Sequence, residues 1–311
     1  MFILLIVLWL TFSLAYLQKP HGALQPAYDL CGQHATPACL HAYITQLGLS
    51  RPYFLRFWDY LFGVVAHFNL GYSFKQNQSV SQLLSVFIPR TFWPAFFSLV
   101  LAVIIALPLG IYQAWRRNST FDYAATGVAF VLYSIPAFVI GFILFDIFVV
   151  RTSLLHLPPS GVDPWAIFTD PVGFILPVVT LTMLSVAGLS RFMRSQVLDV
   201  LVQDYIRTAK AKGCTPRGVL FRHTMRNSLG PIVVIIGLYI PALLSGALIV
   251  EVVFNYEGLG LELRTASGLG DLYAILGITL LVTIATIIGN ILADIGLAII
   301  NPRVRIEGSA R

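Results

Sequence analysis

The chain has 311 residues, of which 57% are hydrophobic and only 11% charged, with a net charge of +6 and a mean hydropathy of +0.81. Apolar content on that scale, spread along the whole length, excludes a water-soluble globular domain. It implies several membrane spans rather than one large core.

A span needs about 20 apolar residues to cross roughly 30 Å of hydrocarbon. That ruler selects six runs: residues 2–17, 93–115, 123–150, 172–189, 232–253 and 272–300. The runs lack the period-two alternation of barrel strands, so each is predicted to be a helix. The expectation is an all-α membrane protein with six transmembrane helices. It divides into a first transmembrane helix (1–18), an extracytoplasmic segment with interfacial helices (19–92) and a five-helix core (93–311).

In the first run, Ser13-Leu14-Ala15 has the form of a small-x-small cleavage site, yet no basic residue precedes it as a signal peptide requires. The following segment holds Pro20, Pro26 and Pro37, then an aromatic stretch (Tyr53, Phe54, Phe57, Trp58, Tyr60, Phe62). Aromatic side chains favour the membrane–water boundary, which predicts short helices lying there; a small folded loop domain is the alternative for the first half. Cys31 and Cys39 fall in this segment with seven residues between them. Oxidising surroundings would preserve a bridge, and a disulfide or two free thiols both fit. Four histidines (His21, His34, His41, His67) share the segment, too scattered for metal-ligand spacing, so no metal is expected.

Trp93 and Trp115 bracket the second run as aromatic belts, and Pro108-Leu109-Gly110 predicts a kink near its inner end. Runs three to five each carry an internal proline (Pro136, Pro177, Pro241), which predicts bent helices around a cavity. In run six, Ala285, Gly289 and Ala293 recur every fourth residue, a spacing that brings helices close, within the chain or toward another subunit. Residues 254–271 are glycine-rich and acidic, with a length that suits a re-entrant or capping element.

Polar residues at mid-depth are the candidate pathway lining: Tyr133, Ser134, Thr180, Thr182, Ser185, Tyr239, Ser245, Thr283 and Asn290. For each, a packing hydrogen bond is the competing role. Asp146 and Asp294 sit in spans toward opposite faces and cannot form a catalytic dyad; Asp294 is expected to pair with the basic loop. No GxxxxGK[ST], HExxH or EF-hand sequence occurs. The chain is therefore not expected to be an enzyme or to bind ATP or another cofactor itself.

Basic residues are not evenly spread. Residues 191–230 hold eight Lys/Arg against Asp199 and Asp204, a local excess equal to the net charge of the whole chain. With Arg116, Arg117, Arg303, Arg305 and Arg311, one set of loops carries 13 of the 20 basic residues. Both termini and residues 191–230 are therefore predicted to be cytoplasmic.

Val197, Leu198, Leu201, Val202, Tyr205 and Ile206 recur at helical spacing, predicting that the helix leaving run four continues beyond the bilayer. Gly213 would end it in a left-handed conformation. Thr215-Pro216 reads as an N-cap followed by proline at the first helical position. A second helix would run from Pro216 to about Ser228, where Gly230-Pro231 would break it. Charge alone could serve topology or anionic headgroups, at about 1 kcal/mol per cation. It would not require this punctuation.

The segment resembles the EAA loop of permease subunits of bacterial ABC importers, and most of all the dipeptide/oligopeptide type. Its Y-x-R-T-A-x-A-K-G core is matched by Tyr205, Arg207, Thr208, Ala209, Ala211, Lys212 and Gly213. The R-H-x-x-R-N-x-x-x-P stretch is matched by Arg222, His223, Arg226, Asn227 and Pro231. The acidic first position of the general E-A-A-x-x-x-G motif is lost. Leu70-Gly71-Tyr72-Ser73 resembles the family's D-L-G-x-S element. Residues 251–260 resemble E-x-V-F-x-x-P-G-L-G with Glu257 in place of proline, and residues 294–305 resemble its tail with Leu297 and Asn301 substituted. Family members usually open with a basic amphipathic stretch, whereas this chain starts inside its first span; either that helix is short or the true start lies upstream.

The resemblance implies the type I importer permease fold and an ATPase-coupling site at Arg207, Thr208, Ala209, Lys210, Ala211, Lys212, Gly213, Cys214, Thr215 and Pro216. It implies as partners a second, homologous permease, two ATPase subunits carrying ATP and Mg, and an extracytoplasmic binding protein, in a lipid bilayer and without nucleic acid. Short peptides are the implied cargo; glutathione, haem and nickel complexes are cargoes of the same family. An ion-coupled carrier would need an ionisable pair at the midplane, and none is present in the sequence.

Overall fold

The computed structural model describes residues 2–17, 24–32, 36–46, 48–159 and 163–300. Helices dominate: α1 (Phe2–Leu17), α2 (Gln25–Cys31), α3 (Pro37–Gln46), α4 (Tyr53–His67), α5 (Val80–Trp115), α6 (Thr120–Ser134), α7 (Ala137–Phe145), α8 (Ala166–Thr169) and α9 (Ile175–Leu201). They continue with α10 (Asp204–Ala211), α11 (Pro216–Gly218), α12 (Met225–Val253), α13 (Leu259–Leu269) and α14 (Leu272–Ile300). A two-residue antiparallel hairpin, β1 (Tyr72–Ser73) with β2 (Gln78–Ser79), precedes α5.

Every predicted apolar run holds a helix. Among the described residues Val80–Trp115, Ile175–Leu201 and Leu272–Gly296 are long and apolar enough to cross a membrane, and residues 120–151 form a bent apolar pair that counts as a fourth when taken as one span. The break lies at Pro136, where the two halves meet at 100°, so the third run is two helices. Pro136 has no amide proton and pushes Ile135 into the extended region (ψ 127°), which stops the helix. The other prolines act differently: α5 is continuous through Pro108, Pro177 lies in the first turn of α9, and α12 is continuous through Pro241.

The chain divides into two compact units. The first takes residues 1–91, 160–166 and 257–284. In it α5 begins thirteen residues before the predicted run, because Val80, Leu83, Leu84 and Phe87 line one face at helical spacing and are buried with Leu259, Ala266, Ala274 and Ile278. Leu8 and Phe12 of α1 pack on Phe57, Tyr60 and Leu61 of α4 and on Leu276 and Leu280 of α14. The opposite face of α4 exposes Phe54, Trp58 and Phe62, the amphipathic arrangement of a helix lying at an interface. Cys31 and Cys39 are joined by a disulfide that ties α2 to α3.

The second unit takes residues 92–159, 167–256 and 285–311. Met193 and Val197 of α9 are buried against Ala114, Leu220 and Ile232. Small residues set the α12–α14 contact: a Cβ on Gly237 would fall onto the Cβ of Ala293, and Gly289 of the predicted stripe is also buried. At Ala293 and Gly289 the stripe thus serves packing within the chain. Asp122, at the start of α6, is 2% exposed and held by both Nε and Nη2 of Arg194, at 2.7 and 2.8 Å. Asp294 does not pair with the basic loop as expected; it is exposed and has no ion-pair partner among the described residues.

Candidate coupling surface and pathway lining

The basic segment folds as a helix, a tight reversal and a second helix. The continuous amphipathic helix expected from run four is interrupted: Gln203 is extended (φ −68°, ψ 148°), so α9 ends at Leu201 and α10 starts afresh at Asp204. Breaking the helix lets Ile206 and Ala209 turn inward, where they are 0% and 7% exposed.

At its C-terminus α10 closes with two crossed hydrogen bonds. The Gly213 amide donates to the Lys210 carbonyl at 3.0 Å, and the Cys214 amide donates to the Ala209 carbonyl at 3.2 Å. This is a Schellman closure, which places the intervening residue in the left-handed region; Gly213 has φ +81°. Thr215 then caps the next helix, its Oγ1 accepting from the Gly218 amide at 3.2 Å, with Pro216 at the first position. Each step was predicted from residues 213–216.

Beyond Pro216 the expected second helix differs. After α11 the backbone widens into a π-helical turn over residues 219–224, where Thr224 Oγ1 donates to the Val219 carbonyl at 3.1 Å. It then enters α12 without a break at Gly230-Pro231. The Pro231 ring meets no Cβ on Gly230, which makes the helical conformation there cheaper, but glycine is not required for continuity, because the same helix also runs through Ile240-Pro241.

The two halves of the motif meet in space. Asn227 Nδ2 donates to Tyr205 Oη at 2.9 Å, bridging 22 residues, and Leu220 is buried on the inner side. On the outer side Arg207, Thr208, Lys210, Ala211, Lys212, Gly213, Cys214, Thr215 and Pro216 are all exposed. Only Ala209 of the predicted coupling residues faces the interior. Arg207 pairs with Asp204 at 3.3 Å, whereas Lys210, Lys212, Arg217, Arg222 and Arg226 have no ion pair among the described residues.

Of the predicted pathway residues, the structure brings together Tyr133 and Tyr239. They line a cavity of about 520 Å³ with Thr126, Phe130, Gly188, Arg191, Phe192, Arg194 and Ile235. Thr180, Thr182 and Ser185 are buried and donate to carbonyls one turn back on α9, at 2.8, 2.7 and 3.0 Å. Ser134 and Thr283 do the same on their own helices, each at 2.8 Å, and Asn290 is exposed and does not line that cavity. The side chain of Ser245, and the basic tail with Asn301, Arg303, Arg305 and Arg311, lie outside the described residues, as do His21 and His34.

Sequence reasoning missed Arg191 as a cavity residue by grouping it with the loop cations. It lies on α9, sixteen positions after Ile175, or about 24 Å along the axis at 1.5 Å per residue. The helical register, in which Arg191 follows Gly188 by three, was the available signal.

An apolar helical bundle bearing a cationic helix–turn–helix between two of its long helices has the build of an importer permease. The chain belongs to the family described as binding-protein-dependent transport system inner membrane component, which it matches over residues 106–306; residues 1–95 match that system's N-terminal membrane component. It is thus an inner membrane, multi-pass component of such a transporter. The chain is 36% identical to the oligopeptide transport system permease protein AppB of Bacillus subtilis over 267 residues, 84% of each chain. It is 35% identical to the glutathione transport system permease protein GsiC of Pectobacterium atrosepticum over 302 residues, 97% of this chain and 94% of the relative. Among solved structures it resembles a chain of the MetNI methionine ABC transporter in an inward-facing conformation, with a TM-score of 0.56 at 15% identity over 71% of this chain and 97% of that one. At that identity the likeness shows a shared fold, the type I importer permease fold.

Proposed function

We propose that this chain forms half of the translocation pathway for short peptides and is driven by ATP hydrolysis on partner subunits. In this reading six spans place both termini and the elbow at residues 204–231 in the cytoplasm. A second permease of the same kind completes the pathway, two ATPase subunits hold ATP and Mg, and a binding protein delivers cargo from outside. The family supports the partners. The name of the AppB relative supports peptide cargo, and that of GsiC keeps glutathione, itself a short peptide, within the same class.

One observation carries the coupling role. Five cations surround a Schellman turn and have no ion pair among the described residues, a surface suited to an acidic groove on an ATPase subunit. Nucleotide-driven closure of two such subunits would push the elbows together and tilt the helices continuous with them.

The test is substitution at Gly213. A Cβ there meets open space within the chain, so its cost arises from the backbone at φ +81°, about 1–2 kcal/mol for most residues and less for asparagine. Gly213→Val is expected to leave ATP hydrolysis in the reconstituted transporter while peptide uptake falls at least tenfold, with Gly213→Asn retaining more uptake. An unchanged ratio of uptake to hydrolysis in Gly213→Val would overturn the coupling role.

A further inference from the structure

Arg191 and Arg194 stand three residues apart on α9, both bordering the 520 Å³ cavity, yet their surroundings differ. Arg194 is neutralised by the two-pronged bond to buried Asp122. Arg191 has no ion pair or hydrogen bond among the described residues; its guanidinium lies 4.0 Å from the centre of the Phe130 ring and 5.6 Å from that of Tyr133. Stacking on an aromatic face orients the plane of a guanidinium and leaves its N–H edge open. No carboxylate lines the cavity among the described residues. A guanidinium that lines a largely apolar cavity is costly unless something answers it. Here the hydroxyls of Thr126, Tyr133 and Tyr239 share the cavity but cannot neutralise the charge.

We propose that this cavity is a cargo subsite in which Arg191 receives the terminal carboxylate of a peptide. The guanidinium fork matches a carboxylate with two parallel N–H···O bonds, and Phe130 holds the fork in place beforehand. Tyr133 and Tyr239 flank the bound group as donors. The volume falls in the range of small-molecule sites and fits the end of a peptide rather than a long one entire. The assignment rests on the peptide-import reading and adds to it one specific recognition group.

The experiment uses the assembled transporter in lipid nanodiscs without the binding protein. Retention of a radiolabelled tripeptide is compared with that of its C-terminal amide by equilibrium dialysis. The unsubstituted transporter should retain the free acid at least tenfold better than the amide. Arg191→Gln should hold the two alike, and Arg191→Lys should keep part of the preference, since it supplies charge without the fork. Equal retention of acid and amide by the unsubstituted transporter, or retention of neither, overturns the assignment.

Two further outcomes also overturn it. One is failure of Arg191→Gln to assemble with its partners on size exclusion, which would make Arg191 a subunit contact. The other is native mass spectrometry showing a phospholipid lost from Arg191→Gln with the acid preference intact, which would make it a headgroup anchor. ATP-driven peptide uptake into proteoliposomes, measured in parallel with the binding protein, reads the import function separately. Uptake indifferent to the terminal group sinks this subsite alone, whereas absence of any peptide uptake sinks the reading beneath it.

Discussion

In the unit built from residues 1–91 and 257–284, polar side chains close on one another: Ser73 on Asp271, Gln76 on Glu262, Arg90 on Glu257. In the elbow at residues 204–226, Lys210, Lys212, Arg217, Arg222 and Arg226 are exposed and have no ion pair among the described residues. Both regions are polar interruptions of an apolar chain, so composition alone would rank them alike. The difference lies in where the polar partner comes from. In the first region it is supplied by distant parts of the same chain, and the outcome is a fixed architecture. In the elbow it is withheld, and the outcome is a surface that gains only when another protein docks.

That contrast predicts opposite responses to substitution. The largest loss of stability is expected where a pair is internal and buried. Asp122→Ala strips Arg194 of its partner and should cost about 3 kcal/mol, read as a drop in thermal midpoint of the purified transporter; a midpoint unchanged from the parent would refute the pairing as a structural element. Asp271→Ala comes next. Asp271 accepts from Ser73 and, as the cap of α14, from the Ala274 amide at 3.2 Å. Losing the cap and orphaning the Ser73 hydroxyl should cost about 2 kcal/mol in the same assay.

Glu262 offers a smaller effect with a distinct pH signature. Burial pushes its carboxyl up to about 7, the Gln76 hydrogen bond opposes this, and the Asp271 and Glu257 charges add to the rise. With the folded pKa above the unfolded one, the folded chain holds the proton more tightly. The associated stability is complete below about pH 4.5 and is lost as pH rises through about 7. Glu262→Gln should therefore match the parent near pH 4.5 and exceed it by about 1 kcal/mol at pH 8. Parallel stability–pH curves for the two proteins would contradict this.

The smallest stability effect belongs to the elbow. Replacing Lys210, Lys212 and Arg217 together by alanine should shift the midpoint by no more than about 0.5 kcal/mol. The same triple change should weaken capture of the ATPase subunit in pull-downs and flatten its salt dependence. Stability lost without any change in capture would reverse the comparison.

Several parts of this arrangement were legible in the residues. Gly213, Thr215 and Pro216 each act through their own backbone, and the Schellman closure and cap appear where those residues stand. Other local signals misled. Gly230-Pro231 has the form of a break, yet α12 passes through it, while Pro136 splits a run that reads as one span. Both are prolines in apolar surroundings, and the residue before them does not separate the two, since α12 also runs unbroken through Ile240-Pro241. The extension of α5 back to Val80 was hidden because Ser81, Gln82 and Ser85 dilute its apolar stripe.

The sequence by itself determined the membrane class, the positions of the apolar helices, the chemistry of the elbow and the family. These depend on hydropathy and on short-range backbone preference, which a linear reading preserves. Only the tertiary structure decided that Arg194 is answered by Asp122 while Arg191 has no ion pair among the described residues, and that Tyr133 and Tyr239 share one cavity. It also decided that Ser73 and Gln76 meet Asp271 and Glu262 across nearly two hundred residues. Those pairings turn on which helix faces pack together, and the energy of a charge depends on what lies within a few ångströms of it rather than on its neighbours along the chain.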